Sequence, residues 1–434
     1  MNETMGILLI LGTLIGCLAL GVWVAISLLL SGIVGMLIFS TAPIDRALSS
    51  NLWSSSAEWS LAALPLFIWM GEILFRSRMS DDLFTGISPW MQRLPGRLSH
   101  VSVLACGVFA AVSGSSAATC ATVAKVALPE LHKRGYDDQL VLGTIAGSGT
   151  LGLLIPPSII LIVYGVATEV SIARLFIAGV LPGILVIALY MGYIMVWSLL
   201  HPSRVPPADP PMPLRARLYA TRRLIPVVVL IVSVIGSIYL GIASPTDSAA
   251  VGVVFALALS WWFGDLNWKS FTAGLYSAAM TSCMIAFILA GAAFLTLSMG
   301  YSGLPAKLAG AIGSLGLNVY MLLFALTIFF IIAGMFLDGI SIIVLTTAVL
   351  LPMVQTAGID PIWFGIYLVL VVEAGLITPP VGLNIFVLQG MTGKDLLYLS
   401  WATLPFFLML MLAVVLLVMF PGIATWLPDQ MFGA

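Results

Sequence analysis

The chain has 434 residues, of which 61% are hydrophobic and 8% charged, with a net charge of −1. A soluble domain carries about 25% charged residues, so the composition excludes a water-covered globule, and without a basic patch it also argues against a nucleic-acid binder. Four scattered cysteines (Cys17, Cys106, Cys120, Cys283) form no CxxC pair and indicate neither a disulfide framework nor a zinc site, while His100, His132 and His201 fall at segment ends.

The N-terminus turns apolar directly after Met1-Asn2-Glu3-Thr4. It has no positively charged leader and no obvious cleavage site, which predicts a first transmembrane helix instead of a signal peptide. The apolar runs are too long for barrel strands. Helices are expected throughout, because in lipid the backbone must satisfy its own polar groups. At about 20 residues per crossing, spans are predicted at roughly 5–20, 22–40, 59–76, 138–170, 175–200, 224–244, 247–263, 272–299, 361–388 and 397–420.

Two apolar regions read differently. Arg76, Arg78, Arg93 and Arg97 precede 99–132, and Lys133 and Arg134 follow it. The positive-inside rule therefore puts both of its ends in the cytoplasm. Each half, about 15 residues long, reaches only about 23 Å, short of the ~30 Å apolar core. A re-entrant hairpin is predicted, its tip at Ser113-Gly114-Ser115-Ser116. The region 318–356 has the same build, with a tip at Leu337–Ser341 and its ends on the outer side, flanked by Lys307 and Asp360. Between the halves, 201–223 carries Arg204, Arg215, Arg217, Arg222, Arg223 and a run of prolines, and is read as a cytoplasmic linker. No Lys or Arg occurs before Arg46 or after Lys394, so both termini are expected outside.

The chain also repeats itself. Pro129 and Pro352, Gly135 and Gly358, Asp137 and Asp360, Gly152 and Gly375, and Pro156-Pro157 and Pro379-Pro380 all lie 223 residues apart. Each half holds three spans, a hairpin, an interrupted span and a last span. Residues 1–200 and 224–434 are therefore read as an inverted repeat in an all-α integral membrane protein.

Paired, interrupted apolar segments point to a transporter binding site. A proline inside a helix removes a donor and clashes with the preceding turn, at about 3 kcal/mol or more. Two in succession after Gly152 or Gly375 must unwind the span and free carbonyls for a cation. The half-helix beyond the break presents a positive dipole end to an anionic solute; a plain proline kink is the simpler reading of either pair alone. Ser113, Ser115 and Ser116 offer hydroxyls that suit a hard cation, although small hydroxyl residues also serve helix packing. Asp338 stands at the second tip where Ser115 stands at the first, and Glu373 lies inside a span. A carboxylate there is expensive and either balances a cation, moves a proton or caps a half-helix. Thr150, Ser158, Thr378 and Asn384, which flank the breaks, and Ser115 and Asp338 at the tips are candidate solute contacts, whereas Lys125 is expected to snorkel towards the cytoplasm. Trp53, Trp59, Trp261, Trp262, Trp401 and Trp426 sit near span ends, as interfacial anchors do.

At these residues the chain resembles the large membrane subunit of tripartite ATP-independent periplasmic (TRAP) transporters. The stretches that carry the resemblance are SGSSAATCATVAKVALPELHKRGYD (113–137), GTLGLLIPPSIILIVYG (149–165) and EAGLITPPVGLNIF (373–386). The resemblance implies Na⁺-coupled uptake of an organic acid across a bacterial inner membrane by an elevator motion. It also implies a separate small membrane subunit of about four helices and a periplasmic substrate-binding protein. Carried onto this chain, one Na⁺ site uses Ser113, Ser116, Gly152, Ile155 and Pro156. The second uses Gly334, Gly375 and Thr378, with Asp338 close by, and the carboxylate solute lies between the tips. Cys120 and Lys125 stand where small residues are expected.

Two other classes remain open on the sequence. One is a Na⁺/dicarboxylate carrier of similar hairpin design that needs no soluble receptor. The other is an intramembrane enzyme, which would need a nucleophile–base pair or metal cluster that Asp338 and Glu373 do not make. No GxxxxGK[ST] motif is present for an ATP-driven pump.

Overall fold

Each long apolar run becomes a helix, and polar N-cap residues mark where many of them start. The computed structural model describes residues 3–207, 212–303 and 318–432; Lys307, the expected flank of the second hairpin, lies outside them. Among the described residues the fold is all-helical, without strands.

The first half begins with α1 (Glu3–Ala19), α2 (Val24–Phe39), α3 (Ile44–Ser56) and α4 (Ala63–Phe75). After α5 (Met79–Met91) come the two arms of the first hairpin, α6 (Leu98–Ser113) and α7 (Ser116–Lys133). The interrupted span follows as α8 (Asp138–Gly149), the short α9 (Leu151–Leu154) and α10 (Ile159–Thr168), and α11 (Ile172–Leu200) completes the half. The linker contains α12 (Leu214–Thr221). The second half runs through α13 (Ile225–Tyr239), α14 (Pro245–Trp262) and α15 (Trp268–Ser302) to the second hairpin, α16 (Val319–Gly334) and α17 (Gly339–Thr356). Its interrupted span is α18 (Pro361–Leu376) and α19 (Leu383–Thr392), followed by α20 (Leu396–Met419) and α21 (Gly422–Phe432).

The 223-residue echo is carried into the helix starts. α7 and α17 begin and end at corresponding residues, capped by Ser115 and Asp338. α8 and α18 are capped by Asp137 and Asp360, whose side chains accept from the backbone N–H of Leu140 and Trp363. Such caps satisfy donors that the first turn leaves free, at about 0.5–2 kcal/mol each.

The two interrupted spans run in opposite directions. Asp138, at the start of the first, binds Lys394 at 2.9 Å and Tyr398 at 3.0 Å, both just past the end of the second. Tyr164, near the end of the first, donates to the Pro361 carbonyl at the start of the second (2.6 Å). The two interrupted spans are thus antiparallel, as an inverted repeat requires. Both ends of the first hairpin meet the linker: Arg97 hydrogen-bonds the Pro206 carbonyl, and Arg204 pairs with Asp137 at 3.5 Å, four residues beyond α7. The arms α6 and α7 thus leave from one face and return to it.

Two groups of helices result. α1 to α4 pack with α13 to α15, the 35-residue α15 lying across α2, α3 and α4. The hairpins, interrupted spans, α11 and α20 form the second group around a buried core that includes Phe109, Tyr164, Tyr190 and Phe406. The six flagged tryptophans are all exposed on the protein, as lipid-interface anchors require.

Some elements depart from the sequence reading. α3 was not expected because its five serines, Asp45 and Arg46 hide it from an apolar window; it meets α4 at a 53° bend. α5 is a short amphipathic helix that buries Leu83, Phe84 and Ile87 and carries Asp81 and Asp82 in its first turn. The turn of the second hairpin is at Met335–Asp338, so Gly339 to Ser341, expected in the tip, form the first turn of α17. Asp338 decides this by capping that turn.

Candidate functional site

At the first tip the chain reverses through Gly114, whose φ of 60° is a left-handed conformation that glycine adopts without strain. Ser115 then caps α7, accepting from Ala118 N–H at 3.4 Å. The Ser113 hydroxyl pairs with that of Thr119 at 2.7 Å. The tip lies directly on the first break: a Cβ on Gly152 would come within 2.5 Å of the Ser115 carbonyl oxygen and 2.7 Å of Thr119 Oγ1. Ser113, the Ser115 carbonyl, Thr119 and the Gly152 backbone therefore converge, all oxygen donors of the kind hard cations take. Thr119 was missed by the sequence reading, although it shares a helix face with Ser116 at a spacing of three.

The break itself spans Ile155 to Ser158. Pro156 and Ser158 are buried and Ile155 partly so. The Ser158 hydroxyl donates to the Leu153 carbonyl across the break and accepts from Leu161 N–H at 3.3 Å, which starts α10. Thr150 donates to the Gly147 carbonyl at 2.8 Å within its own helix. Both hydroxyls are thus committed to backbone.

Ser116 crosses to the other repeat. Its hydroxyl donates to Asn384 Oδ1 at 2.8 Å, and Asn384 Nδ2 donates to the Ala146 carbonyl at 3.1 Å; Ser116 and Asn384 are both buried. Cys120 fits beside them because Gly149 has no side chain: a Cβ there would stand 2.7 Å from that of Cys120. The residue that departs from the expected small type is thus accommodated by its neighbour.

At the second tip the contact is backbone on backbone. A Cβ on Gly375 would lie 2.7 Å from the Gly334 Cα, and one on Gly334 would lie 2.9 Å from the Gly375 Cα. Thr378 donates to the Ala374 carbonyl at 2.6 Å in the last turn before the prolines. The break closes through Gly382, whose φ of 49° is again left-handed. Asp338 is exposed, and its carboxylate accepts from Ile340 N–H (3.1 Å), Ser341 N–H (3.2 Å) and the Ser341 hydroxyl (2.5 Å), as a cap. Gly339 packs on Ile160, Val372 and Leu153, so this tip also touches both sides of the first break.

Glu373 is fully buried, and neither carboxylate oxygen has a hydrogen-bond partner. Lys125 lines a cavity of about 560 Å³ on the linker face, with Asp81, Glu130 and Arg217. That position agrees with snorkelling. No cluster of three His, Cys, Asp or Glu residues capable of holding a metal occurs among the described residues.

Hairpins and interrupted helices in this arrangement occur with a matching sequence across the chain. The profile described as "Tripartite ATP-independent periplasmic transporter, DctM component" matches residues 11–423. This chain belongs to the DctM family of TRAP transporters. As a TRAP large permease it is a protein of the inner membrane. It is 34% identical over 406 residues to the C4-dicarboxylate TRAP transporter large permease protein DctM of Pseudomonas aeruginosa, covering 93% of this chain and 94% of the relative. It is 33% identical over 427 residues to the ectoine/5-hydroxyectoine TRAP transporter large permease protein UehC of Ruegeria pomeroyi, covering 97% and 98%. Its fold is similar to that of the YdaH transporter of Alcanivorax borkumensis, with a TM-score of 0.66, 16% identity, and coverage of 94% of this chain and 98% of that one.

Proposed function

We propose that this TRAP permease imports a small organic acid by coupling its entry to Na⁺. The observation that carries the reading is that each hairpin tip is pressed onto an interrupted helix at a glycine, Gly152 or Gly375, four residues before its proline pair. One Na⁺ would be held by Ser113, Ser116, Gly152, Ile155 and Pro156, with Thr119 added to that set. A second would be held by Gly334, Gly375 and Thr378, with Asp338 capping the helix beside it. The solute would lie between the tips, within reach of Ser115, Asp338 and Thr378, while Thr150, Ser158 and Asn384, buried and already hydrogen-bonded within the protein, would shape the site behind them. Its carboxylate would meet the N-terminus of α10 or α19.

The linker face is cytoplasmic in this reading, because the arginines of 201–223 gather there. The hairpin group would move as a body against α1–α4 and α13–α15, an elevator motion. A separate small membrane subunit of about four helices would complete the scaffold formed by α1–α4 and α13–α15, and a periplasmic substrate-binding protein would deliver the solute. Named solutes of relatives, C4-dicarboxylates and ectoine, bound the solute class.

The test is Na⁺-dependent uptake in proteoliposomes containing the chain with its small subunit and receptor. Wild type should show Na⁺ activation that Ser116→Ala and Thr378→Ala each weaken by tenfold or more. Unchanged Na⁺ activation in both variants removes the assignment.

A further inference from the structure

Asn384 lies in the first turn of α19, the half-helix beyond the second break, yet both hydrogen-bond partners of its side chain belong to the first repeat. Ser116, the first residue of α7, donates its hydroxyl to Asn384 Oδ1 at 2.8 Å. Asn384 Nδ2 donates to the carbonyl of Ala146 in α8 at 3.1 Å. Asn384 has no exposed surface and Ser116 has only 2%, so water does not compete for these bonds. The seat is close: a Cβ on Gly149 would stand 3.3 Å from Asn384 Nδ2.

Donor and acceptor rules fix every proton in this link. A carbonyl only accepts, so the end of the amide that faces Ala146 is its nitrogen and the end that faces Ser116 is its oxygen. The reverse orientation would set two carbonyl oxygens against each other. The amide oxygen carries no hydrogen, so the shared proton is that of the serine. A serine hydroxyl has one hydrogen and two lone pairs. With the hydrogen held on Asn384, both lone pairs of Ser116 are left for another group. The Ser113–Thr119 pair at the same tip is different, because either hydroxyl can be the donor there.

A hard cation binds oxygen lone pairs, and a hydroxyl that turns its proton towards the ion opposes binding. We propose that Asn384 is a positioning residue for the first Na⁺ site. It holds the Ser116 proton away from the ion, so a residue of the second repeat completes a cation site of the first. This role deepens the Na⁺ reading above and rests on Ser116 being a ligand. The same side chain stands at the start of α19, one of the two half-helices offered to the solute carboxylate. One amide thus joins the ion site to the solute end of the second broken helix.

Na⁺ binding is measured on the purified full-length chain as the rise of its thermal unfolding midpoint across a Na⁺ series, with choline keeping the ionic strength constant. Asn384→Ala removes both bonds, whereas Asn384→Asp removes the donor to Ala146 and keeps an acceptor for Ser116. Asn384→Ala should raise the half-saturating Na⁺ concentration about tenfold, and Asn384→Asp by less than about threefold. In the Ser116→Ala background, Asn384→Ala should weaken Na⁺ no further than Ser116→Ala alone, because it acts through that hydroxyl. An equal or greater loss in the aspartate variant overturns the proposal, since a purely structural clasp depends on the Ala146 bond that both variants lack. Additive losses with Ser116→Ala overturn it as well. Na⁺ binding weakened by Ser116→Ala but unchanged by Asn384→Ala removes this inference and leaves the proposed function standing. No Na⁺ stabilisation of the wild type counts against both. If Asn384→Ala does not fold, Asn384→Leu, of similar volume and without either bond, takes its place; if Asn384→Asp does not, the double-mutant cycle decides.

Discussion

The two hairpin tips have the same spacing and different chemistry. The first is made of hydroxyls: Ser115 caps its helix, Ser113 pairs with Thr119, and Ser116 reaches Asn384 in the other repeat. The second is made of backbone and one carboxylate: Gly334 lies on Gly375, and Asp338 caps α17. A similar substitution recurs in the interrupted spans, where Thr150 corresponds to Glu373. Thr150 satisfies itself on a carbonyl, whereas Glu373 is buried without a partner. Duplication has conserved where helices start and break, and has let the groups that line the breaks diverge.

The contrast is broken most severely by filling the glycine contacts. Gly375→Ala forces a Cβ against backbone that no rotamer change can clear. Overpacking of this kind costs about 1–3 kcal/mol or more, and uptake should be lost with a lowered midpoint of thermal unfolding in detergent. Gly152→Ala should act the same way at the first tip, since the obstacle there is also backbone, the Ser115 carbonyl. Retained uptake in either variant would mean that the tips do not press on the breaks.

A smaller effect is expected from the link between repeats. Ser116→Ala leaves the buried Asn384 Oδ1 without its donor, at about 1–3 kcal/mol. Asn384→Ala in the Ser116→Ala background should cost less than the sum of the two single changes, which thermal unfolding of the double-mutant cycle measures. Additivity would deny the contact.

The caps come next. Asp338→Ala should destabilise by about 0.5–2 kcal/mol, and Ser115→Ala by no more. Asp338→Asn keeps the capping geometry and removes the charge, so it should restore most of that stability. If Asp338→Asn abolishes Na⁺ activation while stability is kept, the carboxylate acts on the ion and not only as a cap.

The gentlest perturbation tests sidedness. Single cysteines at Arg97 and Lys133, in a background free of the four native cysteines, should react with an impermeant maleimide from the cytoplasmic side only. Labelling from opposite sides would contradict a hairpin whose two ends meet the linker.

Much of this was legible in order along the chain. The first hairpin was expected at 99–132 with its tip at Ser113–Ser116, and the arms are Leu98–Ser113 and Ser116–Lys133. Basic flanks and short arms gave it away, because a 16-residue helix cannot span ~30 Å of hydrocarbon. The interrupted spans were visible because two prolines cannot continue a helix. α3 and α5 were hidden because amphipathic or serine-rich helices carry no apolar window. Of the site residues, the glycines and serines beside the breaks were named from sequence, whereas Thr119 was not, since its role depends on α6 and α7 folding back on one another.

The sequence by itself determined the membrane class, the first hairpin, the two breaks and the duplication, because these follow from local hydropathy, flanking charge and proline stereochemistry. Only the tertiary structure decided which distant groups meet. Ser116 with Asn384 and Gly334 with Gly375 are separated by tens to hundreds of residues. No local rule pairs them; they meet because each hairpin folds back onto the broken helix of its own repeat and the two repeats then pack against each other.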